Sequence, residues 1–221
     1  MKLSSKQPKK QPKKTAAPHK AGHGAHGNPV DLEAYLERLE SPERAEWQKP
    51  DALVKALGLK KGQTVCEIGA GPGYFALRLA KAVGPRGTVF AVDVEPQILA
   101  VLRERIVAAG AKNLVPVLGL ATDPFLPEGS CDLILLVNAF HHIEDRRPFL
   151  RRLARSLKPG GHVVNVDFHK RELPMGPPPD HKLDRDVFLR EAKAAGFALV
   201  AEPDVLPYQY FLVLEPRSRR A

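Results

Sequence analysis

The nine residues V-C-E-I-G-A-G-P-G at positions 65–73 constrain this chain more than any other stretch. Residues 63–68 read as a short β-run bounded by Gly62 and Gly69, and residues 74–83 read as a helix. A glycine-rich turn therefore carries a buried strand into a helix. Glycine tolerates positive φ and lets a ligand approach the bare backbone, where the N-terminus of the following helix presents unpaired N–H groups. Gly69, Gly71 and Gly73 are thus the first candidates for a cofactor site, and the rest of the chain reads as their scaffold.

The details of the turn discriminate between cofactors. A dinucleotide fingerprint is G-x-G-x-x-G or -A, its third small residue allowing close helix–strand packing beside a pyrophosphate. Here the spacing is G-x-G-x-G, and Tyr74 stands where the third glycine would fall. Glu67, two residues before the first glycine, would face and repel that pyrophosphate. A cofactor bearing an ammonium and a sulfonium, and no phosphate, reverses the sign. S-adenosylmethionine has both, and Glu67 then binds its methionyl ammonium or, in the plainer reading, accepts hydrogen bonds from the turn amides. At the end of the next β-run, residues 88–92, Asp93 lies twenty residues after Gly73 and can accept hydrogen bonds from both ribose hydroxyls of an adenosine.

The remaining chain alternates helical and strand patterns. Residues 31–40 carry Leu32, Tyr35, Leu36 and Leu39 at helical spacing behind Asp31 as a start signal, and a second short helix is expected over 51–57 after Pro50. Residues 96–109 form an amphipathic helix with Ile98, Leu99, Leu102 and Ile106 on one face. A third strand is expected over 113–118, followed by a loop over 119–130. The apolar run after Asp132, ending at Val137, reads as a central parallel strand covered on both faces. Asn138-Ala139-Phe140-His141-His142 follows it. A helix over 147–157 stopped by Pro159 and Gly160, a strand over 162–168, a helix over 185–195 and two strands near 198–201 and 208–214 complete the pattern.

V-C-E-I-G-A-G-P-G-Y-F, then V-D-V-E-P, then C-D-L-I-L-L-V-N-A-F-H-H-I, then L-K-P-G-G, in this order and spacing, resembles the class I S-adenosylmethionine-dependent methyltransferases, in particular the branch that includes ubiquinone/menaquinone-biosynthesis-type enzymes. The resemblance covers roughly residues 43–215. It implies an α/β, Rossmann-like, doubly wound seven-stranded sheet of order 3-2-1-4-5-7-6, with the last strand antiparallel and an N-terminal helical lid. It further implies a tail over residues 1–29, the lid over 30–60, the catalytic domain over 61–216 and a basic end over 217–221. Relatives commonly carry an acid after the glycine of the loop at 119; here that position is Leu120, so adenine is expected to rest on Leu120 and main-chain groups, with Asp123 as a substitute acceptor. Val94, beside Asp93, and Asn138, at the end of the fourth strand, complete the expected cofactor set. Tyr35 and Trp47 are the aromatic candidates for a lid over the cofactor, against the alternative that Trp47 only packs the helices on the sheet.

Charge and length set the outer limits. The net charge is +9, but residues 1–29 hold seven lysines and no acid, which leaves +2 for the rest. That segment is too poor in large apolar residues to offset its ordering entropy, so it is expected to be disordered. It reads as an arm for weak, salt-dependent nucleic-acid contact, or as a solubilising extension without a dedicated partner. His19, His23 and His26 lack the fixed geometry a metal site needs, and no metal is assigned. The longest apolar run, residues 133–137, is far short of a bilayer span, and no apolar h-region follows the N-terminal lysines. Cys66 and Cys131 sit on or beside buried strands and form no disulfide framework, so a cytoplasmic setting is expected.

Methyl transfer from a sulfonium asks the protein mainly to hold a nucleophile on the right axis, and a base helps when the nucleophile carries a proton. His141, His142 and His169 lie where a substrate can sit. His141 and His169 are the preferred pair because they leave neighbouring strand ends, and Asp167 can orient one of them. The alternative is that they bond nearby carbonyls and only shape the pocket. The lid, the loop after His142 and the proline-rich segment 173–181 are expected to form the pocket for a small, apolar or aromatic acceptor. Methylation of RNA or protein through the tail, and binding of the cofactor without catalysis, are the competing functions. No Asn-Pro-Pro-Tyr-type motif follows the fourth strand, which lowers the nucleic-acid option.

Overall fold

A computed structural model of the chain describes residues 31–217. The expected tail and its three histidines lie outside the described residues, as do residues 218–221. Seven strands form one sheet: β1 (Thr64–Ile68), β2 (Thr88–Asp93), β3 (Leu114–Leu118), β4 (Cys131–Val137), β5 (Leu157–Phe168), β6 (Phe197–Ala201) and β7 (Gln209–Pro216), in the order β3-β2-β1-β4-β5-β7-β6. The first five run parallel, and β7 is antiparallel to both of its neighbours. This is the expected order and orientation.

The pleat explains why the fourth strand is an unbroken apolar run. Successive side chains point to opposite faces, so Leu133, Leu135 and Val137 join one core layer while Ile134 and Leu136 join the other. The first layer is closed by Leu53 of α3 (Pro50–Ala56), Ala76, Leu79 and Val83 of α4 (Ala76–Val83), and Leu99 and Leu102 of α5 (Pro96–Ala109). The second is closed by Phe149, Leu150 and Leu153 of α6 (Arg146–Ser156) and Phe188 and Ala192 of α7 (Arg185–Ala194). Cys66 and Cys131 are free thiols within the second layer.

Helix starts follow local capping chemistry. Asp31 accepts from Ala34 N–H at the head of α1 (Leu32–Glu40), Glu95 from Gln97 N–H at α5, and Asp184 from Asp186 and Val187 N–H at α7. Two details differ from the expected pattern. Residues 43–48, between the two expected N-terminal helices, form a further short helix, α2 (Glu43–Gln48). The helix after the glycine turn starts at Ala76 rather than Tyr74, because Tyr74 and Phe75 finish the turn out of Gly73, whose φ is 94°. A third difference lies at β5, which begins at Leu157, five residues earlier than expected. A register shift against β4 between Cys131 and Leu133 absorbs Pro159 and Gly160, so the preceding helix stops at Ser156.

Among the described residues no helix is long and apolar enough to cross a membrane.

Candidate active site at the strand ends

The carboxyl ends of β1, β2, β4 and β5 and the start of the antiparallel β7 share one edge of the sheet, where an open parallel sheet leaves a crevice. The glycine turn is tied into this edge by its backbone. Gly69 N–H and Ala70 N–H both donate to Val92 O, at 2.8 and 3.0 Å, and Gly71 N–H donates to Asp93 Oδ2 at 2.8 Å. A Cβ on Gly69, at φ 71°, would lie 2.7 Å from Ala139 Cβ, so only glycine lets the turn pass the end of β4. From above, α1 lies against the turn: a Cβ on Gly71 would meet Leu39 Cδ1 at 3.7 Å. Arg105 of α5 links the two, donating to Pro72 O and pairing with Glu40.

Glu67 is buried at the base of the turn, 2% exposed, and its Oε2 has no hydrogen-bond partner among the described residues. Burial pushes its carboxyl well above the usual range, against the pull of Arg44 and of a bond from the Ala76 amide, and nearby Asp93 pushes it further. Both readings of this residue meet here: one bond goes to the first amide of α4, and one oxygen is left over. A buried carboxylate oxygen without a donor costs free energy until a cation or donor reaches it. Glu67, the bare backbone at Gly69, Gly71 and Gly73, and Asp93 therefore fit a ligand that brings an ammonium to one end and an adenosine ribose to the other.

Asp93 is already engaged. Besides Gly71 it accepts from Glu95 N–H at 3.1 Å, and burial raises its pKa while the Gly71, Glu95 and Val94 amides lower it. A carboxylate offers about four lone-pair sites, so acceptor capacity for ribose hydroxyls remains. Tyr35 of α1 is close enough to Asp93 for that charge to raise its phenol pKa, after burial, which puts one expected lid aromatic on the ribose side. Leu120 is 55% exposed, its backbone bridged to Asp123. The Asp123 carboxylate is turned elsewhere, to Phe125 N–H at 2.9 Å and Arg152 at 3.1 Å, so the expected substitute acceptor for adenine is occupied.

On the β4 and β5 side, His141 sits in a single turn of 3-10 helix after β4, Phe140–His142. Its Nδ1 lies 2.8 Å from Oδ2 of Asp167, which is fully buried near the end of β5 and also accepts from Phe168 N–H at 2.9 Å. An acceptor at Nδ1 fixes the tautomer with hydrogen there and leaves Nε2 as the basic nitrogen. The structure thus joins His141 to Asp167. His169 is apart from this pair: its ring packs edge-on to Tyr210 at 5.9 Å, its backbone N–H donates to Tyr208 O, and burial, then Arg171, lowers its pKa.

Phe168 gathers the remaining walls. The Trp47 ring of α2 lies 5.3 Å from it, and Gly176 of the proline-rich segment passes so near that a Cβ would come within 2.7 Å of Cε1. The nearly buried Lys182 donates to Arg171 O at 2.8 Å, with its ammonium 5.6 Å from the Phe168 ring. Arg44, Gln48 and Gln209 also face this edge and were not foreseen. Arg44 stacks at 3.9 Å on the Tyr74 ring, and burial lowers its pKa against the attraction of Tyr74 and Glu67. Its only sequence signal was its place beside Trp47.

Comparison with known proteins agrees with this geometry. A family profile described as a methyltransferase domain matches residues 65–161. The chain is 27% identical over 129 residues to the demethylmenaquinone methyltransferase of Listeria monocytogenes serotype 4a (strain HCC23), covering 58% of this chain and 54% of that protein. It is 30% identical over 129 residues to the demethylmenaquinone methyltransferase of Staphylococcus aureus (strain JH9), covering 58% and 52%. The chain spans about half the length of these curated relatives. The crystal structure of a SAM-dependent methyltransferase from Aquifex aeolicus matches with a TM-score of 0.78 and 28% identity, over 82% of this chain and 96% of that one.

Proposed function

The chain belongs to the class I S-adenosylmethionine-dependent methyltransferases, and on that premise we propose that it methylates a small-molecule acceptor with His141 as the base. S-adenosylmethionine, when bound, supplies a methyl group on a sulfonium that is displaced in line by the acceptor. Glu67 receives the methionyl ammonium at its unpartnered Oε2, and the fixed amides and bare backbone of Gly69, Gly71 and Gly73 leave room for the chain behind it. Asp93 takes the ribose hydroxyls, with Val94 and Leu120 beside the base. Helices α1 and α2 act as the lid.

The acceptor loses a proton as its nucleophilic atom takes the methyl group. His141 Nε2 accepts that proton, and Asp167 steadies the resulting imidazolium through Nδ1. Trp47, Phe168 and the segment 173–181 give the acceptor an aromatic, proline-stiffened wall. This wall supports an apolar or aromatic acceptor, a class to which the demethylmenaquinone of the relatives belongs. The lysine-rich residues 1–29 take no part in this chemistry.

The buried, unpartnered carboxylate oxygen of Glu67 carries the reading, because it asks for a cation where a dinucleotide would bring anions. Isothermal titration calorimetry with S-adenosylhomocysteine and with NAD tests it: binding of the first and none of the second is expected, and the reverse result sinks it. A metabolite screen with methyl-labelled cofactor then identifies the acceptor. Turnover on a small acceptor is expected to survive removal of residues 1–29 and to be insensitive to salt.

A further inference from the structure

Lys182 is a buried cation that the chemistry described so far does not use. It is only 4% exposed, in a stretch of chain pinned on both sides. Its own N–H donates to Pro179 O at 3.2 Å, closing the single 3-10 turn Pro179–His181. The next residue, Leu183, is buried, and its carbonyl accepts from Tyr210 OH at 3.4 Å. From this fixed base the side chain reaches back across eleven residues of sequence, donating from Nζ to Arg171 O at 2.8 Å. The ammonium stands 5.6 Å from the centre of the Phe168 ring. Trp47 and Gly176 converge on that same ring, so the charge lies at the aromatic wall of the crevice.

This ammonium is poorly compensated. A lysine gives up both hydration and side-chain freedom when it is buried. Of its three hydrogens, Arg171 O, a neutral carbonyl, takes one. Glu172 and Asp167 attract the charge, but desolvation outweighs both and lowers its pKa. Tying down one carbonyl does not call for a charge, since the N–H of a glutamine would serve. What an ammonium adds is affinity for an anion. Asp167, one of the two acids it feels, also holds the His141 ring at 2.8 Å, so the cation and the proposed base flank one carboxylate. A planar acid lying on the aromatic wall matches this arrangement. Its carboxylate is charged throughout the neutral range and has acceptor sites for the ammonium's other hydrogens.

We propose that Lys182 binds an anionic oxygen of the methyl acceptor, which is an aromatic acid held by its carboxylate beside Phe168 and Trp47. The inference deepens the methyltransferase reading and rests on it.

Calorimetry on the full chain saturated with S-adenosylhomocysteine tests it, with 2-naphthoate and the uncharged 2-naphthamide as probes. The wild type is expected to bind the acid about tenfold or more tighter than the amide, the scale of a hydrogen bond between charged groups. Lys182→Met keeps the length of the side chain and removes the charge; Lys182→Gln also keeps an N–H for Arg171 O. Both variants are expected to lose the preference for the acid and to bind the amide within about twofold of wild type. The Gln variant should keep the wild-type urea midpoint, so the test stands even if the Met variant folds poorly. Equal binding of acid and amide by the wild type, binding of neither, or a preference that survives both substitutions overturns the proposal. So does acid binding restored in the Gln variant alone, which would reduce Lys182 to a tie for Arg171 O. Weakened S-adenosylhomocysteine binding in both variants would assign the cation to the cofactor and overturn it as well. Failure of the wild-type protein to bind S-adenosylhomocysteine would instead remove the methyltransferase reading on which it stands.

Discussion

His141 and Asp167 leave the ends of adjacent strands and meet at 2.8 Å, with the carboxylate closed off from solvent and its second oxygen held by Phe168 N–H. Asp167→Asn keeps the shape but offers an NH2 where Nδ1–H expects an acceptor, which drives the ring into the other tautomer. We expect kcat to fall about 10²-fold or more, with S-adenosylhomocysteine affinity within twofold of wild type. His141→Gln should match it, and the double variant should cost little beyond either single change. Full additivity of the two losses would separate the residues.

His169 should behave differently. Its folded pKa lies below the ordinary histidine value, through burial first and Arg171 next, so the unfolded chain takes up the proton first as pH falls. Its neutral form therefore contributes stability that is present above about pH 6.5 and lost on acidification. His169→Gln should flatten the fall of the urea midpoint between pH 7 and 5, while lowering kcat less than tenfold. A kcat loss equal to that of His141→Gln would place it in the proton path.

Glu67 has the opposite sign. Its folded pKa is raised, so the native protein without ligand holds a proton that the unfolded chain has already released, and stability falls as pH rises above the ordinary carboxyl value until the folded pKa is passed. Glu67→Gln should raise the urea midpoint of the cofactor-free protein at neutral pH and weaken S-adenosylhomocysteine at least tenfold. In the wild type the ligand's ammonium favours the ionised form, so binding should release protons, detectable as a dependence of the calorimetric heat on buffer ionisation enthalpy. No proton release would argue against contact with the ammonium.

Gly69→Ala places a methyl group 2.7 Å from Ala139 Cβ at a φ of 71°. Strain and overpacking together should cost on the order of 2–4 kcal/mol of stability. Loss of S-adenosylhomocysteine binding should persist at temperatures where the variant is still folded by circular dichroism. Gly58, with φ 62° and open space around it, serves as the control: Gly58→Ala carries the backbone strain alone and should bind normally.

Much of this architecture was legible because it is local. Val65 to Gly73 encodes strand, turn and helix within one stretch, and the two-faced apolar run of β4 encodes burial on both sides. The strand order came from resemblance, since nothing in the composition of Gln209–Pro216 says that it inserts between β5 and β6. Asp167 was foreseen as an orienting acid, but which histidine it serves depends on the turn after β4. The hydrogen-bonded run from Arg44 through Gln48 and Gln209 to Asn138 was invisible: Gln48 and Gln209 are 161 residues apart, and polar residues outside any periodicity read as surface until tertiary packing buries them. The start of β5 was missed because Pro159 and Gly160 signal an interruption, and only the bulge shows that the strand absorbs them.

The placement of β7 has a consequence for fragments of this chain. β6 precedes β7 in sequence but touches the sheet only through it, so a piece ending before Gln209 would leave β6 without a partner and the flank of β5 bare. That flank is a row of unsatisfied amides and carbonyls beside Val163, Val164 and Val166, the kind of edge on which chains stack into insoluble assemblies. Proteolytic nicking between residues 202 and 208 is therefore expected to be tolerated only while the severed final strand stays docked, and washing it away should send the remainder out of solution.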